Sequence, residues 1–241
     1  MHSVDQWRDD IRERLSTGLH SLRMAMRDTK HYALRELTIR EYLRTHTVRK
    51  LQLGAGGNLL EGWLNTDQCP FSRKVAYLDV TRRFPLPDES IDFVLSEHHI
   101  EHLTWAQGGS MLRECYRVLR RGGRIRVSTP DLEQILRLYG NPGTDGERYI
   151  RFMTERFLRD APDISAIFVI NLCMRIAGHQ FVYDGPTLVR ALETAGFTAV
   201  ERFTPGLSRT AELRGVDSHE RFLGNAEMNR YQTMVYEAAK S

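Results

Sequence analysis

Val48-Arg-Lys-Leu-Gln-Leu-Gly-Ala-Gly-Gly-Asn58 changes character halfway. Over 48–53 apolar and polar side chains alternate, the period of a strand, and the run then ends in glycines. Glycines at a strand end let backbone approach a ligand closely and present amide donors to it. Leu53, Gly54, Ala55, Gly56 and Asn58 are therefore candidate cofactor contacts. Glycine turns after strands are common, so the loop alone does not choose a ligand. It does argue against one: the position three after Gly56 is Leu59, so the third glycine of a dinucleotide pyrophosphate site is missing.

Working outward, strand-like runs follow at 63–67, 75–79, 91–96 and 124–129, with later ones at 198–203 and 231–238. Between the fourth and fifth lies an amphipathic helix over about 106–120, with Met111, Leu112, Cys115, Tyr116, Val118 and Leu119 on one face. Arg120-Arg121-Gly122-Gly123 reads as its stop. Another helix is expected at about 186–195 and one at about 31–45. Alternating strands and helices imply an α/β fold, a Rossmann-like and mostly parallel sheet covered on both faces. Residues 131–180 break the alternation and read as a helical insertion, the usual wall of a substrate pocket above such a sheet. The expected organisation is an N-terminal helical extension, 1–47, and one catalytic domain, 48–241.

Asp67 and Asp79 each end a strand-like run, where a carboxylate can accept hydrogen bonds from ribose or adenine groups. Each can equally be a turn or helix-capping aspartate. Then comes the run Phe84-Pro-Leu-Pro-Asp-Glu-Ser-Ile-Asp-Phe-Val-Leu-Ser-Glu-His-His-Ile-Glu-His-Leu103, followed by Arg113-Glu-Cys-Tyr-Arg-Val-Leu-Arg-Arg-Gly-Gly123.

In that order these features resemble the class I, type 11 S-adenosylmethionine-dependent methyltransferases, over about 48–200. Gly62-Trp-Leu-Asn-Thr-Asp67 and His179-Gln-Phe-Val-Tyr-Asp184 further resemble a bacterial branch associated with polysaccharide and glycan gene clusters. The resemblance implies a seven-stranded sheet and S-adenosyl-L-methionine as cofactor. It implies that Gly54-Ala55-Gly56 passes the methionine part, that Asp67 holds the ribose, and that Asp79 and Val80 lie against the adenine. Ser96, Glu97 and His98 would border the sulfonium. Asp67 stands only 13 residues past Gly54, so the first connecting helix is expected to be short.

A methyl on sulfonium is already activated, so the protein's task is alignment. A hydroxyl acceptor also needs a group to take its proton, and His98, His102, His179 and Asp131 are the candidates, with His99 beside them. Packed or bracing histidines are the plain alternative. The cluster 98–102 lacks the His-Glu-x-x-His order of zinc proteases, so no zinc site is expected and no residue is assigned as a metal ligand. The expected reaction is methylation of a hydroxyl on a sugar, glycan precursor or other small molecule. The alternatives are N- or C-methylation of a small or lipid-soluble metabolite and cofactor binding without turnover.

Charge narrows the partners. The 241 residues carry a net +3, with +4 on residues 1–50 and −1 on the rest. A neutral body offers no phosphate track, which weighs against nucleic acid. Val4, Trp7, Ile11, Leu15, Leu19, Leu22 and Met26 form one stripe of a helix over 4–26, flanked by arginines. It reads as a helix packed on the domain or on a second copy in a homodimer. The sharper alternative is peripheral contact with a membrane through 4–27. Three widely spaced cysteines suit a reducing cytoplasm, and the N-terminus has no secretory pattern. The longest apolar run, 164–177, falls short of the ~20 residues that cross a bilayer.

Overall fold

The structure is a computed structural model and describes residues 34–241; the helix expected over 4–26 lies outside them. One sheet holds β1 (Lys50–Leu53), β2 (Leu64–Asp67), β3 (Ala76–Tyr77), β4 (Ile91–Glu97), β5 (Leu119–Pro130), β6 (Thr198–Phe203) and β7 (Thr233–Ala239). Their order is β3-β2-β1-β4-β5-β7-β6, with β7 antiparallel to both neighbours and the rest parallel. This is the Rossmann-like, mostly parallel seven-stranded architecture that the sequence predicts. The order reverses between β1 and β4, so the crevice at their carboxyl ends is the natural ligand position.

Register assigns the two faces. Leu51, Val94, Ile125 and Ala238 are partners across β1, β4, β5 and β7. They pack with Met111, Leu112 and Cys115 of α2 (Trp105–Val118) and Leu188 and Leu192 of α6 (Gly185–Thr194). One residue on, the row Gln52, Leu95, Arg126, Glu237 faces the other side. There Leu95 clusters with Trp63, Leu213 and Val216. Arg126, fully buried, donates to Asp217, to Glu237 at 2.6 Å and to the Leu207 carbonyl at 2.9 Å.

Two local expectations are corrected. No helix joins β1 to β2: residues 54–63 cross in turns. Side chains replace it, since Asn65 accepts from Leu60 N (2.9 Å) and donates to the Leu60 and Trp63 carbonyls (3.0 and 3.1 Å). Gln52 donates to the Asn58 carbonyl at 2.9 Å. Tyr42, on α1 (residues 34–45), sets its hydroxyl 2.9 Å from the Lys50 carbonyl and 3.0 Å from that of Gly62. Second, α2 stops at Val118, and Arg120–Gly123 belong to β5. Leu119 already pairs with Ile91, so the chain is extended before the glycines arrive. Gly123 is demanded instead by crowding, for a Cβ there would stand 2.9 Å from the Arg120 and Asp92 carbonyls.

A second core lies over the carboxyl ends of the strands. It is built by α3 (Leu132–Gly140), α4 (Gly143–Phe157), α5 (Ala166–Asn171), a π turn (Leu172–Ile176), α7 (His219–Leu223) and α8 (Ala226–Gln232). The 131–180 stretch is thus helical, as expected, while α7 and α8 have no counterpart in the sequence reading. None of the described helices is long and apolar enough to cross a membrane.

Candidate functional site

Between the glycine loop and this helical layer lies a cavity of about 440 Å³. Its floor is Gln52 and Gly54–Asn58, and its near wall is Glu97, His98, Glu101 and His102. The far wall includes Tyr149, Met153, Phe157, Cys173, His179 and His219. The pairing of Leu53 with Ser96 brings floor and near wall side by side.

Gly54 and Gly56 both hold left-handed backbone, φ +60° and +47°, the conformation glycine adopts without steric cost. Gly54 has a second reason: a Cβ there would lie 2.3 Å from Nδ1 of His99. The buried His99 ring is therefore packed on the loop, and burial lowers its pKa. Asp67 accepts from Gly56 N at 3.0 Å and from Cys69 N at 2.7 Å, so its carboxylate stands beside the loop.

The chain turns sharply after β4. His98 has φ +44°, a costly value for a non-glycine residue and one that clusters at functional sites. Its Nδ1 lies 3.2 Å from Glu101 Oε1 and its Nε2 lies 3.0 Å from Thr233 Oγ1. Thr233 spends its one proton on Asn229 Oδ1 at 3.1 Å, so His98 Nε2 must donate. Nδ1 faces the Glu101 carboxylate, so both ring nitrogens are engaged within the protein. Glu101 is fully buried on the 3-10 turn Ile100–His102. Burial alone would raise its carboxyl; the hydrogen bond and charge of His98 outweigh it and hold the pKa at about 2. Its other oxygen accepts from Thr129 at 3.1 Å.

Residues 178–181 are laid across this turn. Gln180 N and Phe181 N donate to the Glu101 carbonyl at 2.8 and 3.1 Å, and the Gln180 side chain donates to the His102 carbonyl at 2.7 Å. His102 Nδ1 meets the Gly178 carbonyl at 3.3 Å. The docking presents His179 edge-on to His102, with ring centroids 4.9 Å apart. Burial lowers the His179 pKa, and its Nδ1 is buried without a partner.

Sequence reasoning missed His219. It stacks on His98 at 3.6 Å, and its Nε2 lies 3.2 Å from the Gln232 side-chain nitrogen. Gln232 Oε1 is taken by the Tyr149 hydroxyl, so its amide donates and His219 Nε2 accepts. Burial and the neighbouring His98 push the His219 pKa down to about 3. Glu97 delivers this residue by accepting from Ser218 N (2.6 Å), Ser218 Oγ (2.8 Å) and His219 N (2.8 Å). Only proximity in the fold, not spacing, could have revealed the pair.

Of the residues singled out in sequence, Gly54, Ala55, Gly56, Asn58, Glu97, His98, His102 and His179 line one cavity. Asp67 touches the loop from outside that lining. Leu53 and Ser96 are buried in β1 and β4. Asp79 lies beyond β3, where it accepts from Thr81 N (3.0 Å) and Oγ1 (2.6 Å) and pairs with Arg82; the neighbouring Val80 is in the core. Asp131 is buried, caps α3 through Glu133 N (3.0 Å) and pairs with Arg202 (2.7 Å). Cys173 faces the cavity, but burial pushes its thiol up to about 12, which makes it no nucleophile.

Residues 58–127 match the family described as "Methyltransferase domain". The chain is 48% identical over 61 residues to a "Probable S-adenosylmethionine-dependent methyltransferase" of Mycolicibacterium smegmatis, over 25% of this chain and 21% of that one. A similarly named protein of Mycobacterium tuberculosis matches at the same identity over 20% of its length. The chain thus spans about a fifth of the curated relatives it matches. Among solved structures, an S-adenosylmethionine-dependent methyltransferase from Archaeoglobus fulgidus is similar, with 20% identity, 87% of this chain and 94% of that one covered, and a TM-score of 0.48. Residues 58–127 are thus similar to a methyltransferase domain, and the relatives matched by sequence are named as S-adenosylmethionine-dependent methyltransferases.

Proposed function

We propose that the protein transfers a methyl group from S-adenosylmethionine to a hydroxyl of a sugar, glycan precursor or other small molecule. One observation carries this reading: the glycine loop and a group of imidazoles line the same cavity.

The residues fit the cofactor. Gly56 and Gly57 line the cavity, and neither has a heavy atom within 4 Å of where a Cβ would stand, so the loop backbone faces open space. Gln52 Oε1 is buried without a partner, and Asp67 beside the loop keeps lone pairs for hydroxyl donors. Gly54–Asn58, Gln52 and Asp67 would hold it. When bound, it supplies a methyl group activated by a sulfonium leaving group.

Methylating a hydroxyl releases its proton. His98 is not the group that takes it, since both its nitrogens are engaged within the protein, one at Glu101 and one at Thr233. The accepting nitrogen of His219 is filled by Gln232. The open nitrogens lie at the other end: His102 engages only Nδ1, and His179 Nδ1 has no partner. The acceptor oxygen belongs at that end of the cavity.

A second reading rests on the far wall. Met153, Phe157, Leu172, Phe222 and Leu223 give the acceptor side an apolar lining, which suits N- or C-methylation of a lipid-soluble metabolite that needs no strong base. Incubation with methyl-labelled S-adenosylmethionine and a bacterial metabolite extract separates the two. An O-methyl product supports the first reading and an N- or C-methyl product the second. Failure of calorimetry to detect S-adenosylmethionine or S-adenosylhomocysteine at millimolar concentration overturns both, and binding without any labelled product leaves a cofactor-binding protein.

A further inference from the structure

We propose that Glu101, His102 and His179 form a site for one divalent transition-metal cation, of the kind zinc represents. Each offers one ligand atom, and these atoms all lie within 4.8 Å of one another. Ligand atoms around tetrahedral zinc stand roughly 3.3 Å apart, given metal–ligand bonds of about 2.0–2.2 Å. Small rotations of the half-buried His102 and His179 rings close the difference. Two imidazoles and one carboxylate select zinc, iron or cobalt over magnesium or calcium, which take oxygen shells.

An independent observation points to a ligand there. Glu101 is fully buried, and its Oε1 faces only His98 Nδ1, at 3.2 Å, while the buried Nδ1 of His179 has no hydrogen-bond partner. An orphaned polar atom in a protein interior is costly, and a cation held by Glu101 satisfies it. His98 Nδ1, 3.2 Å from the same carboxylate oxygen, is the group a cation would displace from it.

The surroundings already orient the ligands, as outer-shell partners do in metal sites. Thr129 holds the second oxygen of Glu101, and the Gly178 carbonyl engages His102 Nδ1, which turns Nε2 free. The ligands come from two segments that the Gln180 and Phe181 hydrogen bonds hold in fixed register. Three protein ligands beside a cavity are the pattern of a catalytic metal that keeps a coordination position open. What the ion does there rests on the proposed methyl transfer: with the ion bound, His102 and His179 serve as its ligands and no longer take the proton, and a hydroxyl bound to the ion yields that proton to solvent more readily. Its binding does not depend on that reading.

The test uses full-length protein stripped with a chelator and titrated with Co²⁺, followed by visible absorption. The expected result is one Co²⁺ per chain with intense ligand-field bands. His179→Ala and His102→Ala should each weaken binding by at least about tenfold, by comparison with the 10–100-fold effect of losing even an outer-shell partner. Circular dichroism and thermal melting check that each variant is folded, and His179, half-exposed, is the position safest to truncate. Absence of bands at one equivalent, or bands unchanged in both folded variants, overturns the site. Co²⁺ binding without S-adenosylhomocysteine binding upholds the metal site and overturns methyl transfer. The reverse result overturns the metal site alone.

Discussion

Gly54 shows how one residue joins the loop to the wall of the site. Its φ of +60° and the His99 ring 2.3 Å from its missing Cβ forbid any larger side chain. Gly54→Ala is expected to cost at least about 1–2 kcal/mol from the left-handed backbone alone, and the clash with His99 adds to it. Thermal unfolding should report the lost stability, and calorimetry a weakened affinity for S-adenosylhomocysteine. The double variant Gly54→Ala, His99→Ala should recover the clash component but not the backbone component, a coupling that distant, independent sites lack. A glycine was legible at this position because strand-end glycines are. Its neighbour was not, because His99 reaches it only through the turn that follows β4. The same limit hid the Glu101, His102, His179 group, whose third member is 77 residues from its second.

At the scale of elements, the crossing from β1 to β2 is the main departure from what the pattern predicts. Parallel strands usually need a dozen or more connecting residues, often a helix; here 54–63 suffice because Asn65, Gln52 and Tyr42 bond the turns from outside. Asn65→Leu would remove the side-chain partners of the Leu60 N–H and of the Leu60 and Trp63 carbonyls, leaving the Leu60 carbonyl only the Trp63 N–H at 3.4 Å, and is expected to destabilise the fold by about 2–3 kcal/mol in denaturant titration. The spacing from Gly54 to Asp67 announced a short connection, whereas only the fold reveals which side chains make it stable. Another clasp ties the loop 84–88 to α2. Glu114 accepts from Phe84 N at 2.7 Å, and Arg117 donates to the Phe84 and Leu86 carbonyls at 3.0 and 2.9 Å, so α2 grips the loop 84–88. The hydrogen bond and charge of Arg117 lower the Glu114 pKa against the opposing effect of burial. A lowered carboxylate contributes stability that is present above its ordinary value and lost as pH falls through the folded one. Glu114→Gln should therefore cost about 1–2 kcal/mol at neutral pH, and its deficit against the parent protein should shrink as urea titrations move below the ordinary carboxylate range.

Across the whole molecule, the sheet's polar face holds the segment that brings His219 to the cavity. Arg126 looks in sequence like one outward residue of an alternating strand; it is fully buried, and its partners come from β7 and from the segment that follows β6. No local signal pairs it with Asp217, 91 positions away, which is why the fold class was legible and the anchoring of its last third was not. The helices α7 and α8 escaped for a related reason, since five and seven residues are too few to display a helical period. Asp217 also accepts from Gly206 N at 2.6 Å, and the next residues, Ser218 and His219, are held by Glu97. The two acidic groups thus fix both the base and the tip of one segment. Arg126→Met strands two buried carboxylates and is expected to cost about 3–5 kcal/mol, the toll of breaking a buried pair from one side. Asp217→Asn is the gentler probe, because it keeps the shape and an acceptor while it removes the charge. It should leave S-adenosylhomocysteine affinity within about twofold, for additive sites share no partners, and no residue of Gly54–Asn58 bonds to Asp217. Hydrogen exchange across 204–219 should quicken at the same time. Unchanged exchange there, or cofactor affinity lost along with it, would show that the sheet's buried arginine does not act through this segment.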